Sequence, residues 1–152
     1  MMREPPFSLL RKPSAMPLQG KRVLVLGLGD TGLSVARWVA NEGGIVRAAD
    51  TRAAPPRRQE FEGEFHAGKF RLSLLKDVDL VCISPGLSLE EELVQAAIAK
   101  HIPVVGDVEL FAWKAGARVL AVTGTNGKST VTALTGHLLR SAGVDCEAAG
   151  NI

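Results

Sequence analysis

The sequence predicts an α/β protein built on parallel sheets, and three observations predict it. Short apolar runs at residues 23–26, 45–49, 78–83 and 119–122 alternate with helical stretches, the order expected of strands joined by crossover helices. The first strand-to-helix junction reads Gly27-Leu28-Gly29-Asp30-Thr31-Gly32, and a later one reads Thr123-Gly124-Thr125-Asn126-Gly127-Lys128-Ser129-Thr130. Both are glycine-rich loops that turn backbone N–H groups toward an anion at a helix N-terminus.

Residues 23–26 are a short buried strand, and the helix that follows runs to about residue 42 with Leu33, Ala36 and Ala40 on one face. Residues 45–49 form the second strand and end in Asp50, 23 residues after Gly27. A G-x-G-x-x-G loop with an acid at the end of the next strand is the fingerprint of a Rossmann-like nucleotide-binding unit. The same glycines also suit a loop that only packs helix on strand. Asp30 is an N-terminal cap in this reading, and a like charge for any diphosphate placed on that helix.

Residues 51–69 are polar and punctuated by Pro55-Pro56, with a short amphipathic piece around Phe61 and Phe65. Arg52 is within reach of a ligand, whereas Arg57 and Arg58 read as a solvated face. Residues 70–75 suggest a short strand. Residues 78–83 form a firmer one, running into Ser84-Pro85-Gly86 at the strand end where open α/β sheets bind ligands. Ser88 caps a helix carrying Leu89, Leu93 and Ala97, with Glu90, Glu91 and Glu92 near its first turn. Residues 103–105 are a further strand, and Asp107 opens a helix through Trp113.

In the second loop, residues 119–122 form a strand and the helix after it places Val131, Leu134 and Leu138 at i, i+3 and i+7. Val122 stands where the longer G-x-x-x-x-G-K-[ST] form has its first glycine, so this is a shorter phosphate loop. Gly124, Thr125, Asn126, Gly127, Lys128, Ser129 and Thr130 are the candidate ATP-binding residues. Lys128 supplies positive charge to a transferred phosphoryl group and Ser129 a hydroxyl for the Mg²⁺ that accompanies ATP. The domain expectation is therefore an extension over residues 1–19, a Rossmann-like domain over 20–106, and over 107–152 an incomplete start of a P-loop ATPase domain whose next strand is residues 144–149.

Composition narrows the function classes. With 46% apolar and 22% charged residues and a formal charge of +2, the chain reads as an ordinary globular domain with no basic stripe for nucleic acid. Two cysteines, Cys82 and Cys146, are too few for a disulfide framework. No apolar run reaches the roughly 20 residues of a membrane span, and the proline-rich start lacks the apolar core of a signal peptide. A cytoplasmic protein, monomeric, with no membrane partner, is the expectation.

The strings GLGDTGLS at Gly27, DTR at Asp50, SPG at Ser84, GDVELF at Gly106, TGTNGKST at Thr123 and GNI ending at Ile152 together resemble the N-terminal portion of the Mur ligase family, most closely its D-glutamate-adding branch. TGTNGKST is shared across the Mur and folylpolyglutamate synthetase superfamily, whereas DTR and SPG single out that branch. The resemblance implies a first domain that holds a UDP-sugar, with Thr31, Asp50, Thr51 and Arg52 around the uracil and its sugar, Ser84 and Gly86 near the diphosphate, and Asn151 facing the substrate. It implies ATP and Mg²⁺ as cofactors, and UDP-N-acetylmuramoyl-L-alanine and D-glutamate as substrates. ATP phosphorylates the substrate carboxylate and the amine of D-glutamate attacks the acyl phosphate. It further implies that the later metal ligands, a modified lysine and an amino-acid-binding domain belong to sequence after Ile152, so these residues alone are expected to be inactive. Asp30 stands where the resemblance calls for an apolar residue. Another Mur ligase, an NAD-dependent oxidoreductase resting on the first glycine loop, and a non-enzymatic nucleotide-binding module are the alternatives.

Overall fold

The computed structural model describes residues 16–150. Five strands, β1 (Arg22–Leu26), β2 (Ile45–Asp50), β3 (Glu64–Ala67), β4 (Leu80–Ile83) and β5 (Val104–Val105), form one sheet in the order β3-β2-β1-β4-β5. Every pairing is parallel, with Leu26 beside both Ala49 and Ile83. The helices are α1 (Asp30–Asn41), α2 (Glu92–Ala99), α3 (Asp107–Lys114) and α4 (Lys128–Ser141).

The two-residue period of β1 explains the layering. Val23 and Val25 point to one face and pack with Leu33, Val35 and Val39 of α1, while Leu24 and Leu26 point to the other and pack with Leu93, Val94 and Ala97 of α2. All four β1 side chains are at most 1% exposed, which is why the strand reads as a continuous apolar run. Each such burial stabilises by about 1.5–3 kcal/mol. Strand order reverses between β1 and β4, the switch point at whose carboxyl ends open α/β sheets take their ligands.

Several elements differ from the sequence expectation. The amphipathic piece around Phe65 contains edge strand β3. Residues 70–75, expected as a strand, contain a 3-10 turn at Leu72–Leu75 whose Leu74 and Leu75 are buried beneath α2. Consecutive buried leucines fit a turn, because a strand would send them to opposite faces. Helix α2 begins at Glu92, so Leu89 lies before it and is exposed; the Ser88 hydroxyl accepts from the Glu90 N–H in a local turn instead of capping the helix. At the start of the described chain, Leu18 is buried in the core and Met16 packs against it, so residues 16–19 are part of the first unit.

By its contacts the chain divides into two compact units, with the break between Lys114 and Ala115. Helix α3, assigned from sequence to the second domain, buries Leu110 in the core of the first, and Lys114 pairs with Glu42 at 2.6 Å. In the second unit only α4 is regular among the described residues; residues 119–122 and 144–149, expected as strands, are not. A strand exists through hydrogen bonds to a neighbour, and neither segment pairs with another.

Candidate functional site

The carboxyl edge of the sheet brings three loops of the first unit together. After β1, Gly27 takes a left-handed φ of +87° and donates its N–H to Ala49 O at 2.8 Å. A Cβ at Gly32 would lie 1.8 Å from Gly27 O, so the third glycine is what lets α1 approach the loop. At Gly29 a Cβ would meet nothing within 4 Å. The first and third glycines thus serve packing, and the middle one faces open space where a ligand can come close to the backbone.

Asp50 ends β2 beneath this loop and is 2% exposed. Its Oδ2 accepts the Leu28 N–H at 2.7 Å and the Arg52 guanidinium at 2.7 Å; its Oδ1 accepts the Arg52 N–H at 2.9 Å and Nε at 2.8 Å. The Arg52 hydrogen bonds hold the Asp50 carboxyl down at about 2 despite the opposing cost of burial. Asp50 is therefore a strut that braces the glycine loop and aims Arg52, whose side chain is 53% exposed. Thr51 is exposed beside it, and Thr31 lies half-buried in the first turn of α1. After β4, the Ser84 N–H donates to Leu26 O and its hydroxyl to Gly27 O, both at 3.0 Å, tying the third loop to the first; Gly86 is exposed two residues on.

Two readings of charged residues are corrected. Asp30 does not cap α1: Gly29 occupies the N-cap and no side chain bonds there. Arg57 is not a free solvated side chain, because its Nε donates to Asp30 at 2.6 Å and its NH1 to Glu60 at 2.7 Å. Both contacts raise the Arg57 pKa, Glu60 first. Arg58 lies 4.7 Å from the centroid of the Phe65 ring and donates to Phe61 O. The Arg57 pairing had no local signal, since Asp30 lies 27 residues away.

The second unit carries the other loop. Gly124 and Gly127 adopt φ of +149° and +75°, and Gly127 is the N-cap of α4. Lys128 opens the helix and folds back, its Nζ donating to Gly124 O at 2.7 Å. Thr125, Asn126, Ser129 and Thr130 are exposed. Glycines in left-handed turns, an ammonium folded over them and free hydroxyls at a helix start fit a polyphosphate and its Mg²⁺. Among the described residues no cluster of three His, Cys, Asp or Glu side chains could hold a metal by itself, so Ser129 would ligate together with phosphate oxygens. Asn151 lies outside the described residues. Among the described residues, no helix is long and apolar enough to cross a membrane.

Comparison with known proteins identifies the family and the fold. The family described as "Mur ligase MurD-like, N-terminal domain" matches residues 21–106. The UDP-N-acetylmuramoylalanine--D-glutamate ligase of Nitrosospira multiformis is 51% identical over 148 residues, 90% of this chain and 31% of the relative. That of Methylobacillus flagellatus is 51% identical over 144 residues, 90% of this chain and 32% of the relative. The chain thus spans about a third of the length of these curated relatives. Among solved structures, a pseudomurein peptide ligase type C from Methanothermus fervidus superposes with a TM-score of 0.54 at 25% identity, covering 88% of this chain and 29% of that one. A UDP-N-acetylmuramate-alanine ligase from Thermotoga maritima shares the fold, with a TM-score of 0.50 at 22% identity over 80% of this chain and 29% of that one.

Proposed function

The chain belongs to the Mur ligase family, in its MurD-like group, and from that premise we propose that the protein is an ATP-dependent ligase joining D-glutamate to UDP-N-acetylmuramoyl-L-alanine in cell-wall synthesis. The observation that carries the reading is the meeting of the Gly27–Gly32 loop, the Asp50–Arg52 turn and the Ser84–Gly86 turn at one sheet edge, in a chain that also carries the Lys128 phosphate loop.

In this proposal the first unit is the substrate carrier's anchor. Thr31, Thr51 and Arg52 contact the uracil and ribose, Asp50 acts on them through Arg52 and Leu28, and Ser84 and Gly86 lie by the diphosphate. Asn151 is proposed to face the same substrate. The second unit binds ATP, with the N–H groups between Gly124 and Thr130 directed at its β- and γ-phosphates. Lys128 leaves the Gly124 carbonyl for the γ-phosphoryl oxygens and stabilises the charge there as the phosphoryl group passes to the substrate carboxylate. ADP departs, the amine of D-glutamate attacks the acyl carbon and loses a proton, and phosphate leaves as the amide forms. When bound with ATP, Mg²⁺ neutralises phosphate charge, and Ser129 is its proposed protein ligand.

Amide formation is proposed for the protein at the length of its relatives, acting as a cytoplasmic monomer; the chain of 152 residues is proposed to bind without turnover. The discriminating experiment titrates the chain with a UDP-sugar and, separately, with NADH while amide shifts of Gly29 and Asp50 are followed. Saturable shifts with the UDP-sugar and none with NADH are expected. The reverse result would replace the ligase reading with an oxidoreductase one.

A further inference from the structure

Six charged side chains surround the start of α1 and the turn after β2: Asp30, Asp50 and Glu60 against Arg37, Arg52 and Arg57. They form two groups: Arg52 with Asp50 at 2.7 Å, and separately Arg57 with Asp30 at 2.6 Å and with Glu60 at 2.7 Å, Glu60 being held also by Arg37 at 3.2 Å. Among these six side chains the three carboxylates and three guanidiniums cancel. Without Arg57 the set would be negative, and the unpaired group would be Asp30, whose side chain is 83% exposed in the first turn of a helix that otherwise attracts anions.

We propose that Arg57 is a charge-compensating residue of the nucleotide site, cancelling Asp30 so that an anionic nucleoside diphosphate can approach the Gly27–Gly32 loop. The inference rests on the UDP-carrier reading above. It does not need Arg57 to touch the ligand, because a charge acts over roughly a Debye length of 8–10 Å. Nor does Arg57 have to hold its segment in place by its side chain. Its backbone N–H donates to Leu28 O at 3.4 Å, Pro55 is buried and Phe61 lies in the core. Removal of the guanidinium therefore alters charge while the backbone path stays anchored.

The test measures UDP and uridine binding by calorimetry on the full chain and on Arg57→Ala, Asp30→Asn and the double variant, each first shown by thermal melting to be folded. Arg57→Ala is expected to weaken UDP about three- to tenfold, the effect of one uncancelled charge on a diphosphate at about 6 Å in a water-like dielectric. Uridine, which has no phosphate, should change less than twofold. Addition of Asp30→Asn to Arg57→Ala should restore UDP affinity, because the remaining charges cancel again, although the ion pair is still absent. A double variant as weak as Arg57→Ala, or equal losses for UDP and uridine, would overturn charge compensation in favour of a tether. If the unaltered chain bound no UDP at all, the carrier reading would fall and charge compensation at this loop would fall with it, whereas UDP binding that ignores the substitutions would overturn charge compensation alone.

Discussion

Gly32→Ala separates the tertiary constraint on the glycine loop from ordinary helix propensity, because the two predict opposite signs. Gly32 lies in the first turn of α1, where exchanging glycine for alanine should stabilise by about 0.5–1 kcal/mol if only the backbone mattered. The structure places the new Cβ 1.8 Å from Gly27 O, 2.9 Å from its carbonyl carbon and 3.4 Å from Ser84 Oγ. A carbon and a carbonyl oxygen need a little over 3 Å, so α1 or the loop must move by about 1.4 Å in an interior that does not compress. Gly27 O cannot yield alone, since it also accepts the Ser84 hydroxyl at 3.0 Å. Because the obstacle is backbone, the cost lies at the upper end of the range of about 1–3 kcal/mol for overpacking, and the net effect is a loss of about 2 kcal/mol. For a unit of this size that corresponds to a fall in melting temperature of about 4 °C or more. The assay is thermal unfolding followed by circular dichroism, with Gly29→Ala beside it. Gly29→Ala meets no atom within 4 Å and should melt within about 3 °C of the parent while weakening UDP binding. A Gly32→Ala protein that melts at or above the parent temperature would refute the close-approach argument.

Other outcomes follow from the same geometry. The Asp50 carboxyl titrates at about 2 in the folded chain against 3.8 for the ordinary side chain, so it stabilises above pH 3.8. That contribution, about 2 kcal/mol, is lost as pH falls toward 2; urea titrations at pH 7 and pH 2.5 should show it, and Asp50→Asn should flatten the difference. Lys128→Ala should weaken ATP about ten- to a hundredfold by calorimetry, the loss of a charge-assisted contact to phosphate, and leave UDP binding unchanged. The Cys82 thiol, buried on β4 and pushed by burial up to about 12, should resist iodoacetamide at pH 8 until urea unfolds the chain; prompt native labelling would contradict its packing.

The glycine loop, the acid closing β2 and the Ser84 turn were legible in the sequence because each lies at the end of a buried strand; of the Lys128 loop, the turn at Gly127 and the helix start were legible, while the strand expected before it is not formed. The apolar segments at residues 23–26, 45–49, 78–83 and 103–105 also located β1, β2, β4 and β5 to within a few residues. Edge strand β3 was missed because a strand paired on one side only, with one half-buried Phe65, has little apolar pattern to display. Residues 70–75 were misread for a related reason: strand and 3-10 turn can share a leucine-rich composition, and only packing under α2 separates them.

What the sequence determined by itself was the local framework, since backbone turns and helix starts are specified by neighbours in the chain. What the tertiary structure decided was which groups are free to act. Asp50 is committed to Leu28 and Arg52, and Asp30 is neutralised by Arg57 from 27 residues away. Residues 119–122 and 144–149 form no strand without a hydrogen-bonding neighbour. Ion pairs and sheets join residues far apart along the chain, so folding alone brings those partners together.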